Sequence, residues 1–249
     1  MSGHSKWSQI KRQKGAADAK RGQLFTKLGR EISVAARDGG GPDPEANARL
    51  RLAVQRAREA NMPADTIDRA IKRGAGGPDM AALEEVIYEG YGPNGAAIMI
   101  EAMTDNRNRT VAEIRNVFKN GGGSLGNAGC VAYLFDSRGI ISVQPNGLDP
   151  DDVALKAIDA GADDFRVDDD GIEIYTDPGQ VETVRAALEQ EKVPVSNAET
   201  AMIPKTTVEL EPKVTVTVLK MMERLEELDD VQRVYSNLEL TDEALSQFA

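Results

Sequence analysis

Apolar residues along the chain recur at two spacings, and the switch between them divides it. From residue 24 to 74 the spacing is helical. "LFTKLGREISVAARD" sets Leu24, Phe25, Leu28, Ile32, Ala35 and Ala36 on one stripe, with Lys27 and Arg30 off it. "GGG" at 39–41 ends that helix, and Asp43-Pro44 reads as an N-cap and first-turn proline for the next. "EANARLRLAVQRAREAN" then buries Leu50, Ala53, Val54 and Ala57, and "ADTIDRAIKRG" offers Ile67, Ala70 and Ile71 before Gly74. These segments predict a small three-helix bundle with a surface rich in Arg and Lys.

Past the linker "GAGGPD" at 74–79 the pattern mixes alternation with helical stripes. "LEEVIYEGY" and "GAAIMIEAM" flank "GPNG", which predicts a hairpin. The helix "TVAEIRNVFKN" follows, then a glycine-rich turn and an expected strand "CVAYLF". From Arg138 the order is strand, helix, strand, strand, helix, strand, the order of a ferredoxin-like unit. Asp149-Pro150 and Asp177-Pro178 supply helix starts, with Gln180 placed to complete a capping box. The tail predicts a strand "TTVEL", a helix from Pro212 and a strand "VQRVYSNL". The run "VTVTV" alone suits a strand, but Val214, Val218, Met221, Met222, Leu225 and Leu228 continue a helical stripe. The tail lacks a complete fold of its own and is expected to complete the hairpin segment. The expected class is α+β multidomain: an N-terminal three-helix domain (1–77), a middle α/β domain (78–135 with 205–249), and an inserted ferredoxin-like α/β domain (136–204).

Charge adds the strongest functional signal. The formal net charge is -11, yet residues 1–77 hold 16 Lys+Arg against 8 Asp+Glu. Residues 78–249 hold 14 against 33. A basic arm on an acidic body suggests a polyanionic partner. The arm "GHSKWSQIKRQKGAADAKRG" scatters Lys6, Lys11, Arg12, Lys14, Lys20 and Arg21 around a helical wheel, interrupted by Gly15 and Gly22. Phosphates attract such charge by releasing counterions, and Lys27 and Arg30 on the polar side of the first helix join the arm as candidate nucleic-acid contacts. Trp7 offers a stacking face for an unpaired base. A solubilising tail with Trp7 packed on the bundle is the plainer alternative.

Other candidate chemistry is thinner. In "DNRNRTVAE", Thr110 and Glu113 fit a capping box, and Arg107 and Arg109 beside the free helix amides suggest an anion site. Pairing with nearby acids is the competing reading. "GGGSLG" at 121–126 matches GxGxxG only in letters, because its strand and helix come in the wrong order. A flexible turn is expected there. His4 sits in the arm, Cys130 alternates within an expected strand, and the acid runs at 168–170 and 226–230 lack calcium-loop spacing. No catalytic residue, metal or cofactor is expected, and no run reaches the length of a membrane span.

The residues "GHSKW", "KRG..FTKL.REI", "ANARLR.A...A...NMP.DTI.RAI.RG", "YEGYGP.G.A", "TDNRNRT" and "VAYLF" together resemble the YebC/PmpR family over essentially the whole chain. That family includes a mitochondrial activator of cytochrome oxidase subunit I translation. The resemblance implies a three-domain, non-enzymatic, DNA-binding transcriptional regulator. A second role it implies is a ribosome-associated RNA-binding factor that helps translation through proline runs. A small-molecule-sensing ferredoxin-like protein is the remote third reading. The glycine loop "GGGSLGNAGC" departs from the more polar version common among relatives. The expected partners are nucleic acid (DNA or ribosomal RNA) and the ribosome, with no membrane and a monomeric state open to weak self-association. A cytoplasmic location of bacterial type follows from the absence of a transit peptide before "GHSKW".

Overall fold

The computed structural model describes residues 6–7, 18–76, 83–144, 147–168 and 171–248. They divide into two compact units. One holds 18–76, 83–132 and 208–248; the other holds 133–207, and Trp7 falls with it.

The first unit opens with α1 (Asp18–Asp38), α2 (Ala48–Glu59) and α3 (Ala64–Gly74). Leu28, Ile32 and Ala35 of α1 meet Leu50, Val54 and Ala57 of α2 and Ile67 and Ala70 of α3. The predicted stripe runs short at its start, where Leu24 is 43% exposed. Small residues let α1 and α3 approach closely. A Cβ on Gly74 would lie 2.2 Å from the Ser33 carbonyl oxygen, and the Ser33 hydroxyl donates to Ala70 O at 2.9 Å. The cap expected at Asp43 is at Asn47 instead. The buried Asn47 side chain accepts from Leu50 N at 3.0 Å and donates to Ala35 O at 2.9 Å and Gly41 O at 2.8 Å. One side chain thus caps α2 and ties it to the end of α1, which Asp43 cannot do from the preceding turn.

The rest of this unit is an antiparallel sheet with two helices. β1 (Glu84–Tyr91) and β2 (Ala97–Thr104) form the expected hairpin, in register from Glu84↔Thr104 to Tyr91↔Ala97. α4 (Arg107–Asn120) leads to the short β3 (Ser124–Leu125), and α7 (Pro212–Glu226) leads to β8 (Val231–Ser236). The strand order is β3-β1-β2-β8, so the central β2 is apolar and buried along almost its whole length. "VTVTV" is helical, as the longer stripe required: Val218, Leu219, Met221, Met222 and Leu225 are buried in α7. "TTVEL" does not form a strand. Val208 makes an isolated parallel bridge to Leu238. A last helix, α8 (Asp242–Phe248), was not expected.

The second unit runs β4 (Phe135–Val143), α5 (Pro150–Asp159), β5 (Asp164–Asp168), β6 (Gly171–Thr176), α6 (Val181–Gln190) and β7 (Val195–Pro204). The antiparallel order β5-β6-β4-β7 is the ferredoxin-like arrangement. Ile141, Val143, Ile172 and Ile174 pack on Val153, Ala157, Val184 and Leu188 of the two helices. Asp149 caps α5 by accepting from Asp151 N at 3.1 Å. Asp177 instead caps a short 3-10 turn, accepting from Gly179 N at 2.9 Å, and Gln180 makes no capping bond. The strand expected from Cys130 begins only at Phe135. The amides of Val131 and Ala132 donate to the Glu89 carboxylate at 2.8 and 2.7 Å, so they are withheld from any ladder.

This topology makes a fragment test. Residues 133–207 expressed alone should unfold in one cooperative thermal transition, because their sheet is complete. Residues 83–132 alone should show no such transition, since β8 and α7 lie outside them. Cooperative melting of the shorter fragment would contradict the two-part origin of the first sheet.

Candidate nucleic-acid interface

The motif "TDNRNRT" joins the end of β2 to the start of α4, and its geometry is set by an acid far along the chain. Asp230, just before β8, is 2% exposed. Its Oδ1 accepts from Arg30 at 2.8 Å, and its Oδ2 accepts from Arg109 at 2.7 Å and from the hydroxyls of Thr110 at 2.7 Å and Thr104 at 3.1 Å. Its carbonyl oxygen accepts from Met103 N at 2.8 Å. Burial alone would raise the Asp230 pKa. The bonds from Thr110 and Arg109, the charge of Arg30 and the bond from Thr104 outweigh that and hold it below the usual carboxylate range. The Arg109 guanidinium is raised in turn by Asp230 and then Asp105.

One expectation is corrected here. The N-cap of α4 is Asn106, which accepts from Arg109 N at 3.1 Å. Thr110 lies inside the helix and serves Asp230, so the Thr110–Glu113 capping box does not form. At the anion site expected at Arg107 and Arg109, both guanidinium groups meet acids, as the competing reading of that segment held. Arg109 is engaged by Asp230 and Asp105, and Arg107 by Glu84. Arg30 is held by Asp230, and Lys27 donates to the Glu226 carbonyl oxygen at the end of α7. Sequence reading passed over Asp230 as the end of an acid run. Its signal was position, an acid directly before the apolar "VQRVY".

The arm residues part company. Trp7 is 2% exposed, so its ring is not presented to an unpaired base, and it groups with 133–207 rather than with Phe25 of the bundle. Lys6 is half-buried, and Arg21 is exposed at the start of α1. Lys11, Arg12, Lys14 and His4 lie outside the described residues, as does the Lys20 side chain. Sequence reading missed Arg58, Lys72 and Arg73. All three are exposed on α2 and α3 and pair with no acid among the described residues.

The glycine-rich segment is a closely packed turn rather than a flexible one. A Cβ on Gly123 would lie 2.5 Å from Tyr91 O, and one on Gly121 2.5 Å from the Met221 sulfur. The buried Glu89 gathers the following loop, accepting from Gly129 N at 2.7 Å as well as from Val131 and Ala132. Burial opposes its ionisation, but the three amides prevail and hold its pKa down. Cys130 is half-buried in this turn, its thiol pushed up by burial and then by Glu89. These glycines admit neighbouring chain, not phosphate.

Two family models match the chain: "TACO1/YebC protein N-terminal domain" over residues 5–77 and "TACO1/YebC second and third domain" over residues 83–238. A probable transcriptional regulatory protein of Pelotomaculum thermopropionicum is 56% identical over 97% of this chain and 100% of its own length. One of Dehalococcoides mccartyi is 53% identical over 100% of this chain and 98% of its own. The crystal structure of a conserved hypothetical protein from Aquifex aeolicus is similar with a TM-score of 0.82 and 47% identity, over 90% of this chain and 93% of that one. Among the described residues no helix is long and apolar enough to cross a membrane.

Replacing Asp230 by Asn keeps the shape and removes the charge that Arg30 and Arg109 meet. The expected loss is about 2 kcal/mol at neutral pH by denaturant titration, the scale of hydrogen bonds to a charged group. Because the folded-state pKa is depressed, the Asp230 contribution is complete above the ordinary carboxyl value of about 4 and vanishes as pH falls through the lower folded value. The Asn variant should therefore lose less stability than the parent between pH 5 and acid denaturation. A parallel acid profile for the two proteins would remove Asp230 from this role.

Proposed function

The chain belongs to the TACO1/YebC family, and from that premise we propose that it is a non-enzymatic cytoplasmic regulator of gene expression that acts by binding nucleic acid. The observation that carries this reading is the division of its cations. Those facing the sheet, Arg30, Arg109 and Lys27, hold the fold together. Arg58, Lys72 and Arg73 remain exposed and unneutralised among the described residues, on a stretch already carrying twice as many bases as acids. Exposed cations without an acid partner are the ones that phosphates recruit through counterion release, so an external polyanion is a natural partner for them. The name shared by the relatives, probable transcriptional regulatory protein, supports DNA as the target.

One observation favours RNA at the ribosome. α2 and α3 are joined by four residues, 60–63, as in a helix-turn-helix. A recognition helix enters the major groove by its N-terminal residues. The first turns of α3 carry exposed Asp65 and Asp68, while Arg69, Lys72 and Arg73 lie toward its far end. That polarity opposes groove entry between two phosphate backbones. It suits contact along a single or looped strand.

The test is binding of labelled duplex DNA and single-stranded RNA across a salt series. Each phosphate contact should contribute about 0.7–0.9 log units in affinity per log unit of salt. Changing Arg58, Lys72 and Arg73 together to Glu should flatten the slope by two to three such increments, roughly, and cost only a small part of the thermal stability through the reversed charge at the end of α3. Binding that ignores salt, or is indifferent to the three reversals, would sink the reading.

A further inference from the structure

The second unit holds a cleft of about 490 Å³ at one end of its sheet, within the range of small-ligand sites. Arg138, Arg166 and Lys205 stand around it with two acids, Asp163 and Asp164; Tyr175 contributes one wall, and Ile203 and Pro204 supply apolar surface. Register explains the convergence. Tyr175 pairs with both Asp164 and Ile140, so side chains of β5, β6 and β4 emerge on the face opposite the helices. The Arg166 guanidinium, two residues along β5, sits over the Tyr175 ring, 6.0 Å from its centroid. The Tyr175 hydroxyl donates to Glu173 at 2.7 Å, which fixes the ring from behind. Arg166 is exposed and meets no carboxylate in an ion pair among the described residues. Arg166 thus both lines the cleft and lies over an aromatic ring.

The other two cations are only lightly engaged. Arg138 pairs with Asp163 at 2.9 Å and Lys205 with Asp136 at 3.1 Å, each pair roughly half exposed on both sides. Such pairs contribute little to stability, so either cation can turn to a phosphate, with which charge-assisted bonds are stronger.

Resting on the nucleic-acid reading above, we propose that this cleft is a second contact site, taking one unpaired nucleotide of a single-stranded RNA. The base stacks on the Arg166 guanidinium, which Tyr175 backs, while Arg138 and Lys205 take the adjoining phosphates. Arginine planes are established stacking surfaces for splayed bases.

The decisive comparison uses the full chain, a labelled ten-residue oligoadenylate and free AMP. Arg166→Lys keeps the charge and discards the plane. It should weaken oligonucleotide binding about tenfold, as Arg166→Ala does, without lowering the melting temperature, because Arg166 is exposed on an edge strand. Lys205→Gln should reduce the salt slope by about 0.7. If Arg166→Lys binds like the parent, stacking is overturned. If both Arg166 variants and Lys205→Gln bind like the parent, the cleft is not an RNA site, although salt-dependent binding through α2 and α3 would leave the functional reading intact. Absence of any RNA binding by the parent defeats that reading itself. Displacement of the oligonucleotide by equimolar AMP would identify a free nucleotide, not a strand, as the occupant.

Discussion

A carboxylate almost sealed from water tolerates ionisation only if donors surround it, and Asp230 fixes its neighbourhood on those terms. Four side chains reach it, from the first helix of the bundle, the end of β2 and the first turn of α4. Each would lose a charged partner if its segment moved. Desolvation of the ions offsets much of their attraction, so this cluster adds specificity more than net stability. It selects one placement of α1 against the sheet, where apolar packing alone would permit several. Arg233, bonded to Glu31 of the same helix, and Arg37, donating to Leu83 O at 2.8 Å, extend the polar seam along α1.

Glu89 applies the same constraint through backbone rather than side chains. Its carboxylate takes three amides from the loop before β4. Satisfying the acid there means that the loop cannot extend β4 backwards. The chain leaves the first unit where Glu89 stops holding its amides and the ladder to β7 begins, at Phe135↔Pro204. Gly90, beside it, lies so close to β3 that a Cβ would sit 2.6 Å from Ser124 O. Acid and glycine are adjacent because one gathers the loop and the other lets it come near.

Signals that act within a few residues were legible in the sequence. The stripe through Val218, Met221, Met222 and Leu225 identified a helix despite β-branched residues, because burial of one face outweighs a weak propensity. Asp149-Pro150 started its helix as expected, and the ferredoxin-like order was complete in the pattern. What failed depended on remote partners. Thr110 looked like a cap until an acid 120 residues away claimed its hydroxyl. Cys130 to Leu134 looked like strand until Glu89 took the amides. Arg30 looked like a free surface cation, though its partner lies 200 residues on. Charge density says where cations are numerous. Only the fold decides which of them are neutralised.

That distinction bears on how an acidic protein approaches a polyanion. Residues 78–249 carry 33 acids against 14 bases and would repel nucleic acid if its field reached far. At physiological salt that field decays over about 8 Å, so repulsion and attraction act patch by patch rather than through net charge. Arginines held by Asp230 and Glu31 weigh less at such range, since Arg30 and Arg109 share Asp230 while Arg56 and Arg233 share Glu31. Arg58, Lys72 and Arg73 of α2 and α3 are not compensated in this way among the described residues. Neutralising interior cations with buried acids therefore sharpens the contrast between the basic stretch and its surroundings. On the proposed reading, the acidic remainder would discourage a strand from settling elsewhere, and orientation on the nucleic acid would follow from which cations the fold has left exposed.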